Sequence, residues 1–310
     1  MDDKVLEREL KPVPLSHLTK SDIVFHIINY TALILFTLSV LYPIIYCLSA
    51  SFSSIYAVMT RKVWLWPVGF NIKAYKAAFE YPGLMEGFLN SLFYAAVAAV
   101  FVPSLTMITA YPISRKTLPG HSFFVVYFAI TMFFNGGMIP SYLLIRDLGL
   151  INSFLAVTVA FGFSFYNVIV ARTYFAHNIP EELNEAAKID GCGDWYYFLR
   201  IVVPLSKPII AINILWTAMG NWNGYFSQLL YFTDSRKYGI QMVLRNLLFI
   251  MTMSDEQRAL MDPEQLSRKE EVARQLKFAV IFIGAAPMLA LYPFVQKHFV
   301  KGVMVGAIKG

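Results

Sequence analysis

The chain has 310 residues, of which 57% are hydrophobic and 15% are charged, and its mean hydropathy is +0.54. A soluble domain carries about a quarter charged residues, so this composition excludes an ordinary soluble protein and indicates apolar surface that faces lipid. The net charge of +6 does not indicate a nucleic-acid partner, because no basic patch with interleaved aromatic residues accompanies it. In a membrane protein such a bias reflects anionic lipid and loop topology.

Six long apolar stretches follow one another along the chain. Each has about the 20 residues that a helix needs to cross the hydrocarbon core of a bilayer. Backbone inside lipid must satisfy its own hydrogen bonds, which favours helices. The stretches cover 23–50, 87–112, 121–145, 151–175, 208–230 and 278–296. We therefore predict an all-α integral membrane fold with six transmembrane helices.

The stretch at 23–50 is predicted to remain as an uncleaved first span, because a signal-peptide core has only about 7–15 apolar residues. The six spans form one transmembrane domain over 23–296, between the tails 1–22 and 297–310. An even number of spans places both termini on one side of the membrane. The two sets of connecting loops contain equal numbers of Lys and Arg, so the positive-inside rule does not orient the chain.

Two connecting segments are long, 51–86 and 231–277. Near the end of the second, Asp262 is placed to cap a helix that begins with Pro263 and Glu264. A side-chain oxygen, a proline and an acidic residue in that order are typical of a helix N-terminus. Both segments are otherwise consistent with solvated connectors.

The middle of the six stretches lacks Asp, Glu, Lys and Arg. Gradient-driven transporters commonly place ionisable groups at membrane depth, so a proton relay is disfavoured. The chain also lacks the GxxxxGK[ST] loop that binds nucleotide phosphates. We therefore predict a separate motor subunit, and no catalytic or metal-ligating residue in this chain. Cys47 and Cys192 have no metal or redox spacing.

Uncharged polar and aromatic side chains recur in the third, fourth and fifth stretches. Amides offer donors and acceptors to sugar hydroxyls, and aromatic rings stack on the C–H face of a pyranose. The same residue types also hold membrane helices together or mark the lipid interface, and both interpretations stay open at this point. The candidate substrate-path residues are Asn135, Tyr166, Asn167, Asn213, Trp216, Asn221, Trp222, Asn223 and Tyr225.

A short helix is predicted within 178–208, between the fourth and fifth stretches. Pro180 and two glutamates begin this helix and Gly191 ends it. Ala186 and Ala187 lie on its apolar face, where small side chains let another surface approach closely.

A second short helix follows in the same segment. Asp194 is placed to cap it, and it is predicted to run to Val203. Pro204 and Pro208 then close it and lead into the fifth stretch.

The same segment resembles the EAA motif of the membrane subunits of ABC importers. That motif has Glu-Ala-Ala, then a glycine after three intervening residues, then Ile-x-Leu-Pro after nine more. Val203 stands where Leu is usual and Cys192 where Ala is usual, and both are small apolar changes. The matching residues are Glu185, Ala186, Ala187, Asp190, Gly191, Ile201 and Pro204.

The resemblance extends along nearly the whole chain. The tail 296–310 and the run Asn221-Trp222-Asn223 are similar to the maltose-transporter-like class of sugar permeases. The segment 134–153 is similar to the branch of that class associated with oligosaccharide and polysaccharide uptake.

The resemblance implies a type I ABC importer permease fold with a cytoplasmic coupling helix. It places the loop 176–207 in a cleft of an ATPase subunit, both termini in the cytoplasm, and the loops 51–86 and 231–277 outside. The compartment it implies is a prokaryotic cytoplasmic membrane, crossed several times. The implied ATPase-coupling residues are Glu182, Glu185, Ala186, Ala187, Asp190, Gly191, Ile201 and Pro204.

The resemblance also implies a set of partners. These are two ATPase subunits that bind ATP and Mg²⁺, a second permease subunit, an extracytoplasmic solute-binding protein and a carbohydrate. The second permease is expected to be a different chain, although a homodimer is an alternative. This chain is expected to hold no cofactor and to catalyse no reaction. The remaining alternatives are an ABC permease for a non-sugar solute, a gradient-driven secondary transporter and a membrane enzyme.

Overall fold

The described part of the chain consists of helices joined by turns and loops. The computed structural model describes residues 19–307 apart from 135, 161, 250–252, 255, 256 and 258–261, and this described part contains no β-strand. The helices, numbered α1 to α14, are Lys20–Ser51, Ile55–Met59, Lys73–Glu80, Leu84–Ser114, His121–Phe133, Met138–Asp147, Phe154–Thr158, Phe165–Asn178, Glu181–Ile189, Asp194–Leu205, Lys207–Asn223, Tyr225–Tyr231, Ile240–Phe249 and Pro263–Ala307.

Two compact units divide the chain, Met1–Ile72 and Lys73–Gly310. The described part of the first unit contains α1 and α2. Its α1 begins with a capping box, in which the Thr19 side chain accepts from the backbone of Asp22 and the Asp22 carboxylate accepts from Thr19. The second unit holds α3 to α14, and all the candidate site residues lie in it.

Some of the candidate membrane spans are single helices and others are pairs of helices joined at a bend. Within the described residues, α1 and α4 are each long and apolar enough to cross a membrane, and the number rises to five if each bent pair of helices is one span. The bends measure 113° between α5 and α6, 80° between α10 and α11, and 51° within α14. The elements therefore follow the predicted stretches, but several of those stretches are not single straight helices.

The predicted fourth stretch, 151–175, consists of two short helices, α7 and α8, and α8 continues to residue 178. Gly162 lies between them against α4. A Cβ atom there would be 2.5 Å from Val102 Cγ2 and 2.7 Å from the Thr158 carbonyl oxygen. Only glycine fits this approach, so the chain passes close to α4 at the point where the stretch is broken.

The predicted fifth stretch, 208–230, is divided at Gly224 into α11 and α12. Its start is sharply turned, because α10 ends at Leu205 and the chain bends by 80° into α11. Pro204 and Pro208 lack backbone N–H groups and cannot continue the hydrogen-bond ladder through this turn. The second predicted short helix therefore ends near the prolines, as expected, but Gly193 rather than Asp194 precedes its first turn.

The predicted connector 231–277 contains an apolar helix, α13, that packs on α4, α11 and α14. The segment before it is held to α4 and belongs to the bundle. The Asn90 side-chain amide donates to the carbonyl of Arg236 at 2.7 Å and to that of Tyr238 at 3.0 Å. At the other end, the backbone N–H of Gln265 donates to the Asp262 carboxylate at 3.1 Å, which confirms the predicted helix start.

The two largest apolar clusters among the described residues lie in the second unit. The first joins the end of α4 to α8, α9, α10 and the start of α11, and the second joins the start of α4 to α11, α13 and α14. The first cluster comprises Met107, Ala110, Ile113, Phe165, Val168, Ala171, Phe175, Ile179, Ala187, Tyr197, Phe198, Val202 and Ile209. The second comprises Ala78, Leu84, Ala95, Trp222, Ile240, Leu244, Leu247, Ala273, Leu276 and Val280.

Candidate functional site

The short helix α9 covers the predicted EAA segment. It begins at Glu181, after Pro180, and ends at Ile189, within a residue or two of the predicted bounds. Glu181 and Glu182 occupy its first turn and Lys188 its last, which complements the helix dipole at both ends. The residues within and next to α9 therefore determine where the helix begins and ends and how its charges are arranged along it.

The turn after α9 depends on a glycine with positive φ. Gly191 has a φ of +73°, and no atom lies within 4 Å of the position a Cβ would take. The N–H of Cys192 donates to the carbonyl of Ala187 at 2.8 Å, and the N–H of Gly191 donates to that of Lys188 at 3.0 Å. Gly191 therefore supplies backbone conformation at the end of the helix.

The two sides of α9 differ. Asn184 and Ala187 are buried against the rest of the chain, and Ala187 belongs to the first apolar cluster. By contrast, the apolar side chains of Leu183 and Ile189 are 41% and 86% exposed. Glu182, Glu185, Ala186, Asp190 and Gly191 are exposed as well. The predicted pair of alanines is thus divided, since Ala187 packs inward and Ala186 faces outward.

An ion pair joins the end of α4 to the start of α9. The Arg115 guanidinium contacts the Glu181 carboxylate, and the Arg115 side chain is only 11% exposed whereas that of Glu181 is 47% exposed. The Asn184 side-chain amide donates to the other Glu181 oxygen at 3.0 Å. The hydrogen bond from Asn184 and the charge of Arg115 hold the pKa of the Glu181 carboxyl below its ordinary value.

The Arg115 guanidinium also lies over an aromatic ring. Its guanidinium carbon lies 5.2 Å from the centre of the Tyr111 ring, a cation–π distance. Its Nε and Nη2 are buried without a hydrogen-bond partner among the described residues. Glu181 is therefore the main electrostatic partner of a nearly buried cation.

Further hydrogen bonds converge on the same end of α4. The carbonyl of Ile113 accepts from Nε of Arg172, on α8, at 3.1 Å and contacts Nε2 of His121, at the start of α5, at 3.0 Å. Helices α4, α5, α8 and α9 therefore meet through polar contacts at the end of α4, next to the first apolar cluster, to which Ile113 belongs.

A cavity of about 430 Å³ separates α9 from the ends of α4 and α10. Tyr111, Arg115, Asn184, Lys188 and Trp195 are among its lining residues. Helix α9 is consequently attached through Ala187 and Glu181 and is not packed along its whole length.

The last two EAA residues lie on α10. Ile201 packs on the first apolar cluster, and Pro204 is exposed at the bend into α11. The turn Phe198–Val202 is π-helical, with Phe198 and Val202 buried in the cluster. The motif therefore spans an outward helix, a glycine turn and an anchored second helix.

Three of the candidate substrate-path residues line one cavity of about 290 Å³. These are Asn167, Trp216 and Asn221, together with Thr217 and Ser227. Tyr166 is 54% exposed, and its ring centre lies 6.3 Å from that of Trp216.

Two further candidates line a neighbouring cavity of about 600 Å³, on another face of α11. These are Asn223 and Tyr225. Five of the candidates selected from the sequence therefore line two cavities, and α11 contributes to both.

Two of the candidates are buried within the bundle. The Trp222 indole is 1% exposed, donates to the carbonyl of Gly284 at 2.8 Å and meets the Phe88 ring edge-on at 5.5 Å. Asn213 is 1% exposed and donates to the carbonyl of Ile209, one turn back on α11. Asn135 lies outside the described residues.

Comparison with known proteins identifies the family. Residues 116–305 match the model of the family described as binding-protein-dependent transport system inner membrane component. The chain belongs to this family. Its members are inner-membrane components, so this chain is a membrane subunit of a binding-protein-dependent transport system. The predicted membrane fold is confirmed at that level.

Relatives match over nearly their full length. The chain is 35% identical over 298 residues to Protein LplC of Bacillus subtilis, covering 95% of this chain and 98% of that protein. It is 35% identical over 291 residues to the polygalacturonan/rhamnogalacturonan transport system permease protein YtcP of the same species, covering 92% of this chain and 98% of that protein.

A solved structure also matches. A chain of a bacterial ABC transporter involved in the import of the acidic polysaccharide alginate is 31% identical. It superposes with a TM-score of 0.82, covering 93% of this chain and all of that one.

Two parts of this transport-system component were not found from the sequence. The Arg115–Glu181 pair joins residues 66 positions apart, so no local spacing reveals it. Arg245 lies on α13, inside a segment that was interpreted as a connector, and it lines the 600 Å³ cavity. A charged residue within the apolar run 240–249 was the available signal.

Proposed function

We propose that the chain is one permease subunit of an ATP-driven importer and forms half of its translocation pathway for a carbohydrate. The proposed topology has six spans, both termini in the cytoplasm, and the segment 176–207 on the cytoplasmic side. Because α10 lies within 176–207, the fifth span in this topology is α11 with α12, and the fourth is α7 with α8. The other four spans are α1, α4, the bent pair α5 and α6, and the apolar part of α14.

The observation that carries the proposal is the construction of α9. Its Leu183 and Ile189 are exposed apolar side chains beside the exposed Glu182 and Glu185, while Ala187 is fixed in the first apolar cluster. An exposed apolar patch with charged neighbours is typical of a protein interface. We propose that this outward face docks on an ATPase subunit and that Ala187, Ile201 and the Arg115–Glu181 pair transmit its movement to the bundle.

The proposed cycle is alternating access. ATP and Mg²⁺ bind to the two partner ATPase subunits, whose closure moves α9 as a rigid body and changes which side of the bundle is open. This chain performs no bond chemistry. A second permease supplies the other half of the pathway, and an extracytoplasmic binding protein delivers the solute. Wall residues of the pathway in this chain are proposed to be Tyr166, Asn167, Trp216, Asn221, Asn223 and Tyr225.

Carbohydrate is the favoured solute because amides and aromatic rings are combined on these walls. Relatives named for polygalacturonan and alginate transport support the same class. Asn213 and Trp222 are not included in the proposed pathway, because both side chains are buried in packing and hydrogen bonding within the bundle.

Site-directed cross-linking tests the docking face. Ala186→Cys is introduced into a chain in which Cys47 and Cys192 are replaced by serine, and the assembled transporter is treated with a short bifunctional thiol reagent. We expect a cross-link to an ATPase subunit carrying a cysteine at its docking cleft. Lys269→Cys, at an exposed position of α14, is the matched control. A cross-link from position 269 and none from position 186 contradicts the assignment of α9.

A further inference from the structure

The apolar helix α13 carries a single charged residue, Arg245. One side of the helix is buried in the second apolar cluster through Ile240, Leu244 and Leu247. Gln241 and Arg245, one turn apart, line the 600 Å³ cavity instead. Small-molecule sites are mostly apolar cavities with a few placed polar groups, and a charged residue among them fixes the orientation of the ligand.

The walls of this cavity are mostly apolar, and polar side chains enter them from two sides. Asn223 and Tyr225, from α11 and α12, line it together with Gln241 and Arg245 from α13. The third wall is α14, where Gly284 lets α13 approach closely, since a Cβ there would lie 2.8 Å from Leu244 Cδ1. Among the lining residues there is no Asp or Glu.

The arginines that bear ion pairs provide a contrast with Arg245. Arg146, Arg236, Arg268 and Arg274 each contact a carboxylate at 2.5 to 2.9 Å within the described chain. Arg245 instead has a neutral acceptor, the Asn246 side-chain oxygen at 3.2 Å, and the Phe249 ring at 5.0 Å. No carboxylate of the described residues pairs with it.

A guanidinium presents five donors in a planar fork that matches a carboxylate. One of the Arg245 donors is used by Asn246, so the others are available to a ligand in the cavity. A volume of about 600 Å³ lies within the range of small-molecule sites, about 300–1,000 Å³. The cavity therefore has the charge, the donors and the room for an anionic sugar unit.

We propose that the cavity between α11, α13 and α14 binds an acidic sugar unit, with Arg245 holding its carboxylate. Asn223 and Gln241 serve the hydroxyls, and the Tyr225 ring covers the apolar sugar face. This inference rests on the proposed carbohydrate import and adds the substrate class, a uronate-bearing saccharide. Arg245 determines specificity, because a neutral sugar would leave its charge without a partner.

The test is uptake of paired substrates by the complete transporter in vesicles of uncharged lipid. One substrate is a uronate oligosaccharide, and its partner is the same oligosaccharide with each carboxyl reduced to an alcohol. The ratio of acidic to reduced uptake is compared between wild type, Arg245→Gln, Arg245→Lys and the control Arg268→Gln. Because one binding protein is used throughout, its own selectivity cancels in the comparison.

We expect wild type to favour the acidic form and Arg245→Gln to lower the ratio by about tenfold to a hundredfold, as for loss of a charged hydrogen-bonded contact. Arg245→Lys keeps the charge and is expected to retain part of the ratio, which guards against a folding defect in the glutamine variant. Arg268→Gln, in an exposed pair with Glu264, is expected to leave the ratio unchanged.

A ratio in Arg245→Gln that stays within twofold of the wild-type ratio overturns the inference. If adding anionic lipid, rather than changing the sugar, reproduces the difference between wild type and Arg245→Gln, the site binds lipid phosphate and the inference fails. If ATP drives neither saccharide but does drive another solute, the proposed carbohydrate function fails, and the substrate class fails with it. These results are distinguishable because only the last abolishes saccharide uptake in wild type.

Discussion

The attachment of α9 to α4 is expected to depend on the Glu181 charge. Glu181→Gln keeps the size of the side chain and an oxygen for Asn184, but it removes the ion partner of Arg115. Exposed ion pairs contribute about 0–1 kcal/mol, whereas breaking a buried pair costs about 3–5 kcal/mol. Because Arg115 is 11% exposed and Glu181 is 47% exposed, we expect a loss of about 1–2 kcal/mol in the stability of the docked helix.

Hydrogen–deuterium exchange of the peptide covering 181–190 measures this loss. A change of about 1–2 kcal/mol corresponds to roughly five- to thirtyfold faster exchange, if α9 exchanges by local opening. Glu182→Gln is the matched control, since Glu182 lies in the same first turn, is exposed and has no ion pair in the described structure. It removes the same interaction with the helix dipole, and we expect less than about a threefold change, in line with a few tenths of a kcal/mol for that interaction.

The double variant separates the ion pair from other effects. Arg115→Met removes the buried cation together with its need for a partner, so Glu181→Gln is expected to cost little in that background. The Glu181 pKa lies below its ordinary value, so its stabilising contribution is complete above the unfolded-state pKa of about 4.3 and is lost as the pH falls through the folded-state pKa. Equal exchange in Glu181→Gln and Glu182→Gln, or a full Glu181→Gln effect without Arg115, would refute the reasoning.

Three further substitutions test the fold around the site. Gly191→Ala meets no steric clash but forces a residue with a side chain to adopt a φ of +73°, so we expect about 1 kcal/mol of destabilisation, measured as faster hydrogen exchange at the end of α9. Gly193→Ala is the control and should show no such change, because the φ of Gly193 is −74°. Trp222→Phe removes the indole hydrogen bond to the Gly284 carbonyl and part of a buried ring, and it is expected to cost about 1–3 kcal/mol of stability in thermal unfolding. An unchanged melting temperature contradicts the packing role. Gly162→Ala places a Cβ against α4 and should lower the free energy of unfolding by about 1–3 kcal/mol. Adding Val102→Ala to this variant should restore only part of the loss, because the contact with the Thr158 carbonyl remains.

Local patterns in the sequence were enough to predict the bounds of α9 and the turn that follows it. Pro180, the acidic first turn and Gly191 act within a few residues of one another, and the structure has the helix and the positive φ that they indicate. The Asp262 cap follows from equally local chemistry. Such features are predictable because their partners are neighbours in the chain.

Features that depend on distant packing were not predictable. Apolar length does not reveal that 151–175 is broken at Gly162, since the reason is the approach of Val102 from another helix. The same holds for Trp222, whose burial depends on Phe88 and Gly284. A single sequence shows residue type but not which side of a helix meets another element.

The segment around α13 shows a third limit. Its ten apolar-rich residues are too few for a span, so length alone assigned them to a connector. Their packing on α4, α11 and α14 places Arg245 at a cavity that also receives Asn223 and Tyr225. The charge of Arg245 within this apolar run was the local signal that the segment is more than a connector.

Stimulated ATP hydrolysis by the complex tests the central proposal most directly. The chain is purified with its co-expressed neighbours, and hydrolysis is measured with and without binding protein and saccharide for wild type, Glu185→Lys, Gly191→Pro and the control Glu264→Lys. We expect stimulation in wild type and the control, and its loss in the two α9 variants. If no ATPase co-purifies and the α9 variants transport normally in a gradient-driven assay, the proposed coupling through α9 is wrong.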